Sequence, residues 1–216
     1  SCIKYNVKKM IFISTDKAVN PSTIMGATKR LCEKYIQQIS QDSKTKFKIL
    51  RFGNVLGSTG SIVPLFQNQI DLGLPLTVTH PETSRYFMTI REAVELILIS
   101  SQEGKINNSE INILDMGKPV KIKDLAIKMI NLSGKQLGED IKIIYTKLRK
   151  GEKLHEELVY KNEIINVSST KEILKTQTIL NPINNKDIDK IERAIKQNNK
   201  KLCKQLLKFM LPEYKI

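Results

Sequence analysis

The polar stretch over residues 14–20 contains the side chains of this sequence that are best suited to chemistry. Asp16 and Lys17 place a carboxylate next to an ammonium group, and Thr15 adds a hydroxyl. Such groups can exchange protons with a ligand or bind it through hydrogen bonds. The stretch is therefore a candidate acid–base site, and the alternative is that residues 14–16 only cap the helix that follows.

The elements on either side indicate where these side chains lie. The apolar run over residues 10–13 predicts a buried strand, and apolar residues then recur at helical spacing, at Ile24, Ala27, Leu31, Tyr35, Ile36 and Ile39. Asn20-Pro21 breaks the chain between the two elements, and Pro21 or Ser22-Thr23 can start the helix. Met25 and Lys29 are four residues apart and share one helix face. The polar stretch thus follows a strand end, where ligands bind in open α/β sheets.

A second strand end follows further along the chain. Residues 46–52 alternate well enough to predict a strand, which leads into a glycine-rich loop over residues 53–61. Asn54 in this loop either caps a tight turn or contacts a ligand. Residues 62–70 predict a helix with Pro64 in its first turn. Similar patterns predict strands over 76–79, 110–114 and 141–145, and helical structure over 91–101, 123–132 and 187–209.

Three stretches together resemble a known family. They are residues 14–29, the string Arg51-Phe52-Gly53-Asn54-Val55, and residues 148–158, which read Leu-Arg-Lys-Gly-Glu-Lys-Leu-His-Glu-Glu-Leu. The sequence resembles the extended short-chain dehydrogenase/reductases, and more narrowly the CapD-like polysaccharide-biosynthesis group of nucleotide-sugar 4,6-dehydratases. This resemblance implies an α/β fold, namely the C-terminal part of a Rossmann-like doubly wound parallel sheet plus a small α/β substrate-binding lobe.

The resemblance also implies the roles of the first stretch. Most members of the superfamily carry Tyr-x-x-x-Lys on this helix, but here Met25 stands in the tyrosine position and Lys29 in the lysine position. The CapD-like branch also shows methionine there, and a thioether has no transferable proton. We therefore assign the proton chemistry to Asp16 as general acid toward the C6 oxygen and Lys17 as base at C5. Thr15 would then bind the C4 oxygen.

The family's cofactor and substrate are NAD and a UDP-sugar. For NAD the resemblance implies contacts from Ser14, Lys29, Phe52, Gly53 and Val55. For the UDP-sugar it implies contacts from Asn54, Val63, Pro64, Arg85, Arg149 and Glu152. The arginines would hold the diphosphate, and Glu152 would accept hydrogen bonds from ribose hydroxyls. Without the resemblance, residues 148–158 are a solvated run of charges.

The family's glycine-rich cofactor turn does not occur in this sequence. No G-x-G-x-x-G or G-x-x-G-x-x-G is present, and the first residue is Ser1 rather than methionine. We expect that the first half of the nucleotide-binding domain lies outside this chain, and the sequence leaves open whether its partner is a second copy of the chain in a homo-oligomer or the missing N-terminal half in the full-length protein. Residues 1–56 are then the C-terminal part of the NAD-binding domain. Residues 57–216 are mainly the substrate lobe, with some segments returning to the Rossmann sheet.

Composition excludes several other classes of protein. The net charge of +14 could suit nucleic acid, but the lysines are spread over the whole length and aromatic residues make up only 6%. No apolar run can span a bilayer, and no signal peptide is present. Neither the three cysteines nor His155 has the neighbours of a metal site. We expect a cytoplasmic protein, at the membrane's cytoplasmic face if anchored, without metal or nucleic acid.

The resulting functional hypothesis is the C-terminal part of a UDP-N-acetylglucosamine 4,6-dehydratase for bacterial surface polysaccharide. One alternative is a UDP-glucose or other UDP-sugar 4-epimerase of the same fold, which Met25 makes less attractive. Another is a truncated, non-catalytic remnant that keeps only the nucleotide-sugar site. The sequence leaves these alternatives open.

Overall fold

The chain forms two compact units in the computed structural model, which describes residues 1–58, 60–102, 110–161, 163–167, 173–177 and 182–215. The first unit comprises Ser1–Phe52, Leu96–Asp115 and Glu157–Ile216, and the second comprises Gly53–Glu95 and Met116–Glu156. Thr59 of the predicted glycine-rich loop lies outside the described residues. The assignment of cofactor binding and substrate binding to separate domains stays a prediction.

Strands and short helices alternate along most of the chain. In order they are β1 (Lys9–Thr15), a 3-10 turn (Asp16–Ala18), α1 (Ile24–Ser40), β2 (Lys46–Phe52), β3 (Asn54–Val55), α2 (Ile62–Asp71), β4 (Leu76–Val78), β5 (Ser84–Arg85), β6 (Phe87–Met88), α3 (Ile90–Gln102), β7 (Glu110–Leu114), β8 (Val120–Lys121), α4 (Ile122–Leu132), β9 (Ile143–Tyr145), β10 (Ile164–Val167), β11 (Ile173–Gln177), α5 (Asn185–Lys196) and α6 (Lys200–Met210). The bounds of β2 and β7 are the predicted ones.

A five-stranded sheet in the order β1-β2-β7-β11-β10 forms the centre of the first unit. The pairs β1–β2 and β2–β7 are parallel, whereas β7–β11 and β11–β10 are antiparallel. The middle strands bury apolar side chains, including Ile49, Leu50, Ile111 and Ile113, as parallel strands covered on both faces do. The sheet is mixed rather than wholly parallel, because β11 and β10, which the sequence pattern does not predict, pair antiparallel.

Helix α1 begins where the polar stretch predicts a helix start. Thr23 is its N-cap, because its hydroxyl accepts a hydrogen bond from the backbone N–H of Gly26 at 3.1 Å. Further along, Ile36 packs in a buried cluster with Phe47, Ile49 and Ile111 of the sheet. Burial of this apolar surface fixes α1 against the strands.

The predicted helical stretch over residues 187–209 is two helices rather than one. Asn198 has a φ of 51°, in the left-handed region, which interrupts the helix between α5 and α6. Asn199 then caps α6 by accepting a hydrogen bond from the N–H of Leu202 at 3.0 Å. Beyond the break, α6 and the residues after it pack on α1, in a cluster of Ala27, Leu207, Leu211 and Tyr214.

The second unit has an apolar core of its own. Helices α2 and α4 pack on β4, and the buried cluster comprises Phe66, Ile70, Leu76, Val78, Ile122, Ala126, Ile130 and Ile141. Its strands form three separate pairs, β3–β6 and β4–β9 in parallel and β5–β8 antiparallel. This core holds the loops and short strands that contain Arg85 and Glu152.

Candidate functional site

The predicted acid–base residues lie at the carboxyl end of β1 in the first unit. Thr15 ends the strand opposite Phe52 of β2, and the 3-10 turn over Asp16–Ala18 follows directly. The Thr15 hydroxyl accepts a hydrogen bond from the N–H of Lys17 at 3.4 Å. Thr15 therefore caps the 3-10 turn, whereas the cap of α1 is Thr23.

Asp16 is completely buried, with 0% of its surface exposed. Its Oδ1 accepts hydrogen bonds from the Thr15 hydroxyl at 2.8 Å and from Lys17 Nζ at 2.9 Å. Its Oδ2 is also buried and has no hydrogen-bond donor among the residues that the structure describes. Because a buried carboxylate oxygen without a donor is costly, Oδ2 is suited to accept a hydrogen bond from a ligand.

The first turn of α1 packs directly against this loop. A Cβ on Gly26 would overlap the backbone oxygen of Lys17, so this close approach requires glycine. Met25, the neighbour of Gly26, is 47% exposed. Lys29 Nζ donates to the backbone oxygen of Ile13 at 2.9 Å. The structure therefore brings Met25 and Lys29 to the same end of β1 as Asp16 and Lys17.

A buried ion network lies beside the loop, and the sequence analysis missed it. Glu33 of α1 accepts a hydrogen bond from the Ser14 hydroxyl at 2.6 Å and pairs with Arg51 at 2.8 Å and Arg30 at 3.1 Å. Arg51 also pairs with Glu163 at 3.1 Å. Ser14, which is predicted to bind the cofactor, therefore donates its hydroxyl hydrogen to Glu33, and its role at the cofactor stays a prediction.

The charges of this network keep one another ionised. Burial alone would raise the pKa of the Glu33 carboxyl, but Arg51 and Arg30 hold that pKa below its usual value. Burial alone would lower the pKa of the Arg51 guanidinium, but Glu33 and Glu163 outweigh it and raise that pKa. Burial also raises the pKa of the Tyr160 phenol. Tyr160 is therefore a protonated hydrogen-bond donor at neutral pH.

Two predicted substrate ligands bind each other in the second unit. Arg85 is 7% exposed, and its Nη2 donates to Oε1 of Glu152 at 3.0 Å. Glu152 also accepts hydrogen bonds from the Thr79 hydroxyl at 2.9 Å and from the backbone N–H of Arg149 at 3.1 Å. Arg149 itself is exposed. The structure thus gathers Arg85, Arg149 and Glu152 in one place, although a ligand must compete with the pair between Arg85 and Glu152.

The other predicted contact residues of the second unit lie on short elements. The backbone N–H of Asn54 donates to the oxygen of Tyr86 at 2.9 Å, so β3 lies beside the chain that follows Arg85. Val63 and Pro64 lie in the first turn of α2. These positions alone do not determine which ligand atoms the residues would contact, so the roles of Gly53, Asn54, Val55, Val63 and Pro64 stay predictions.

The described residues contain neither a cluster of metal ligands nor a membrane-spanning helix. Within them, no group of three or more His, Cys, Asp or Glu side chains could hold a metal ion. The Nδ1 atom of His155 lies 2.8 Å from the Ser84 hydroxyl instead. No helix in the described ranges combines the length and the apolar character that crossing a bilayer requires.

Comparison with known proteins identifies the family to which this chain belongs. A family model described as polysaccharide biosynthesis protein matches residues 1–178. The chain belongs to this polysaccharide biosynthesis protein family. One relative is the capsular polysaccharide biosynthesis protein CapD of Staphylococcus aureus, which is 60% identical over 160 residues, covering 73% of this chain and 26% of CapD.

Two further relatives of this polysaccharide biosynthesis protein have names that state a reaction. The UDP-N-acetylglucosamine 4,6-dehydratase (inverting) of Campylobacter jejuni is 35% identical over 164 residues, covering 74% of this chain and 46% of the relative. The UDP-glucose 4-epimerase of Rickettsia akari is 34% identical over 162 residues, with the same coverage of 74% and 46%. The chain therefore spans less than half the length of each of these relatives.

A solved structure supports the fold of this family member. The X-ray structure of Pen from Bacillus thuringiensis matches with a TM-score of 0.72 at 34% identity, covering 84% of this chain and 56% of the Pen chain. The predicted family and the predicted α/β Rossmann-like fold class are both confirmed.

Proposed function

We propose that this chain is the C-terminal part of an NAD-dependent 4,6-dehydratase that acts on UDP-N-acetylglucosamine for a bacterial surface polysaccharide. Family membership and the Campylobacter jejuni relative support this proposal. The structural observation that carries it is the buried Asp16 carboxylate. One of its oxygens is held by Thr15 and Lys17, and the other has no donor in the described part of the chain.

The proposed reaction removes water across C5 and C6 of the sugar. A ketone at C4 makes the C5 hydrogen acidic, so the reaction needs a base at C5 and an acid at the C6 oxygen. Asp16 and Lys17 are 2.9 Å apart and can share one proton. When Lys17 passes that proton to Asp16, the neutral amine is the base and the carboxylic acid is the donor. Elimination then returns both groups to the ion pair, while the C6 hydroxyl leaves as water.

Two other side chains would position the reacting groups. Thr15 would donate its hydroxyl hydrogen to the C4 oxygen, for which it must leave Oδ1 of Asp16. NAD, when bound, would accept the hydride from C4 and return it to C6 as Lys17 gives the proton back to C5, which completes the 4-keto-6-deoxy sugar. Lys29 fits the ribose of such a cofactor, because Nζ uses one of its three N–H donors on Ile13 and keeps two for hydroxyls.

The second unit would bind the nucleotide part of the substrate. Arg149 has an exposed guanidinium, whose planar set of donors matches the oxygens of a diphosphate. Arg85 would bind the same diphosphate once Glu152 is drawn to a ribose hydroxyl. The proposed substrate therefore exchanges the contact between Arg85 and Glu152 for contacts to itself.

The proposed roles are tested with Asp16→Asn and Lys17→Ala in the whole protein. Each change removes one of the two proton-transfer groups, so formation of the 4-keto-6-deoxy sugar should fall by about 100-fold or more. Product is measured by mass spectrometry, which detects the loss of one water. Asp42→Asn and Lys44→Ala are matched controls, because both residues are exposed. Undiminished product in either site variant would exclude that residue's role.

The Rickettsia akari relative supports 4-epimerisation as the second candidate function. Epimerisation changes no mass, because the hydride returns to C4 and no water leaves. Incubation of the whole protein with UDP-glucose and with UDP-N-acetylglucosamine separates the two reactions. A product of unchanged mass with inverted C4 would replace the dehydratase proposal.

A further inference from the structure

The 3-10 turn that contains Asp16 is held by a segment much later in the chain. The Tyr160 hydroxyl donates to the backbone oxygen of Ala18 at 2.8 Å. Two residues beyond the turn, the Asn20 side-chain amide donates to Oε2 of Glu157 at 2.9 Å. All of these residues belong to the first unit. The segment around Tyr160 therefore binds the loop at the turn and just after it.

Tyr160 is itself fixed by the buried ion network. Its ring centre lies 4.7 Å from the guanidinium carbon of Arg30, and its backbone N–H donates to Oε2 of Glu163 at 2.9 Å. Glu163 pairs with Arg51, and Arg51 pairs with Glu33. The hydroxyl of Tyr160 therefore reaches the turn from a residue whose ring and backbone are both held in place.

The same network reaches the other side of Asp16 through Ser14. The Ser14 hydroxyl donates to Glu33 at 2.6 Å, so the residues two before and two after Asp16, Ser14 and Ala18, are both tied to one set of buried groups. In the described residues, the Asp16 carboxylate itself accepts hydrogen bonds only from Thr15 and Lys17. The direction of its Oδ2 therefore depends on how the two flanks are held.

We infer that Tyr160 is a positioning residue, whose hydroxyl holds the Ala18 carbonyl and so sets where Oδ2 of Asp16 lies. The inference rests on the proposed function for its catalytic consequence, but the geometric anchor stands independently of it. Tyr160→Phe removes the hydroxyl and leaves the ring between the network and the turn. Because a shift of about 1 Å at a reacting group can cost about 100-fold in rate, a small movement of the turn is sufficient.

The first measurement is steady-state kinetics of Tyr160→Phe in the whole protein. We expect kcat for the proposed dehydration to fall about 10- to 100-fold, with KM for the UDP-sugar within about two-fold, because the predicted substrate ligands lie on other segments. Tyr35→Phe is the matched control, because Tyr35 lies on α1 and is 37% exposed. An unchanged kcat in Tyr160→Phe overturns the positioning role.

The second measurement does not depend on activity. The N–H of Val19 donates to the oxygen of Asp16 at 3.0 Å and closes the 3-10 turn, so its hydrogen exchange reports opening of the turn. Loss of the anchoring hydrogen bond should speed this exchange about five-fold in Tyr160→Phe and not in Tyr35→Phe. Unchanged exchange overturns the inference. If exchange is faster in Tyr160→Phe but the wild type makes no dehydrated product, the result supports the hydrogen bond from Tyr160 as the contact that holds the turn. The same result contradicts the proposed function.

Discussion

Glu33 is the residue on which the charges beside the candidate site converge. Its carboxylate is completely buried and faces two guanidiniums, those of Arg30 and Arg51, as well as the Ser14 hydroxyl. A buried pair of this kind adds little stability compared with an apolar pair, but removal of one partner leaves the other charge uncompensated. The integrity of the first unit should therefore be sensitive to this one carboxylate.

Glu33→Gln should lower the free energy of unfolding by about 3–5 kcal/mol, because it leaves two buried guanidiniums with less negative charge. Urea unfolding of the two proteins at neutral pH measures the difference. Glu139→Gln is the control, since Glu139 is exposed and its substitution should change stability by no more than about 0.5 kcal/mol. If Glu33→Gln is as stable as the control, the negative charge of Glu33 does not contribute to the free energy of unfolding.

The difference in stability between wild type and Glu33→Gln should depend on pH in a defined direction. The pKa of Glu33 is lower in the folded chain than the value of about 4.3 for an unfolded glutamate. The stability that its charge contributes is therefore fully present above about pH 5 and is lost as the pH falls toward the folded pKa. We expect the difference between wild type and Glu33→Gln to shrink when unfolding is repeated at about pH 4. A difference that grows on acidification would contradict this sign.

At the scale of single residues, the ion pairs of this network could not be predicted from the sequence. Glu33 and Arg51 are 18 positions apart, and Arg51 and Glu163 are 112 positions apart, so no local spacing links them. The available signal was Arg51 itself, a charge between Leu50 and Phe52 in a strand that is otherwise rich in apolar residues. Asp16, Lys17, Met25 and Lys29 were easier to predict to share one place, because a strand and the helix after it position them.

At the scale of elements, the first turn of α1 and the 3-10 turn form one packed unit. Gly26 has no Cβ, and the backbone oxygen of Lys17 occupies the space that a Cβ would fill. This contact sets the distance between the loop that contains Asp16 and the helix that contains Lys29. Any side chain at position 26 must move one of the two elements.

Gly26→Ala should therefore destabilise the protein, by about 1–3 kcal/mol, as overpacking does. The sign is informative, because glycine to alanine within a helix otherwise stabilises by about 1 kcal/mol. Thermal unfolding measures the change, and Thr28→Ala on the exposed side of the same helix is the control. Gly26→Ala with a stability equal to or above that of Thr28→Ala would contradict the close approach.

The helices and strands that could be predicted are those in which the spacing of apolar residues within the element indicates its type. Strands β2 and β7 have the predicted bounds because apolar residues recur along both of them, in alternation in β2, and the sheet buries these residues. Strands β10 and β11 pair antiparallel beyond β7, and they are only four and five residues long, so their own sequences do not distinguish them from the neighbouring loops. The sequence pattern does not reveal the break between α5 and α6, because Ile195 and Leu202 on its two sides are seven positions apart and so stay in phase with a single helix. The backbone of Asn198, rather than its polarity, ends α5.

At the scale of the whole molecule, each of the two units contains its own set of predicted site residues. Asp16 and Lys17 belong to the first unit, and Arg85, Arg149 and Glu152 belong to the second. In the proposed function, binding of the nucleotide and transfer of protons depend on separate sets of contacts. Substitutions of the proton-transfer residues should leave nucleotide binding unchanged, and substitutions of the nucleotide-binding residues should leave proton transfer unchanged.

Arg149→Ala in the whole protein should weaken UDP binding by about 10- to 100-fold, the effect of losing hydrogen bonds between charged groups. Asp16→Asn should leave UDP affinity within about two-fold of wild type. Isothermal titration calorimetry with UDP measures both, and Lys150→Ala is the control for loss of a neighbouring exposed positive charge. Wild-type affinity in Arg149→Ala would remove Arg149 from the predicted substrate site.

The attachment of the loop to later segments also bears on synthesis of the protein. Glu157 and Tyr160 bind the loop, and so does Lys215, whose N–H donates to the oxygen of Pro21 at 2.9 Å. A ribosome makes Asp16 and Lys17 long before it makes any of these three residues. The nascent chain therefore contains Asp16 and Lys17 early, but the hydrogen bonds that hold their loop are complete only after translation has passed Lys215.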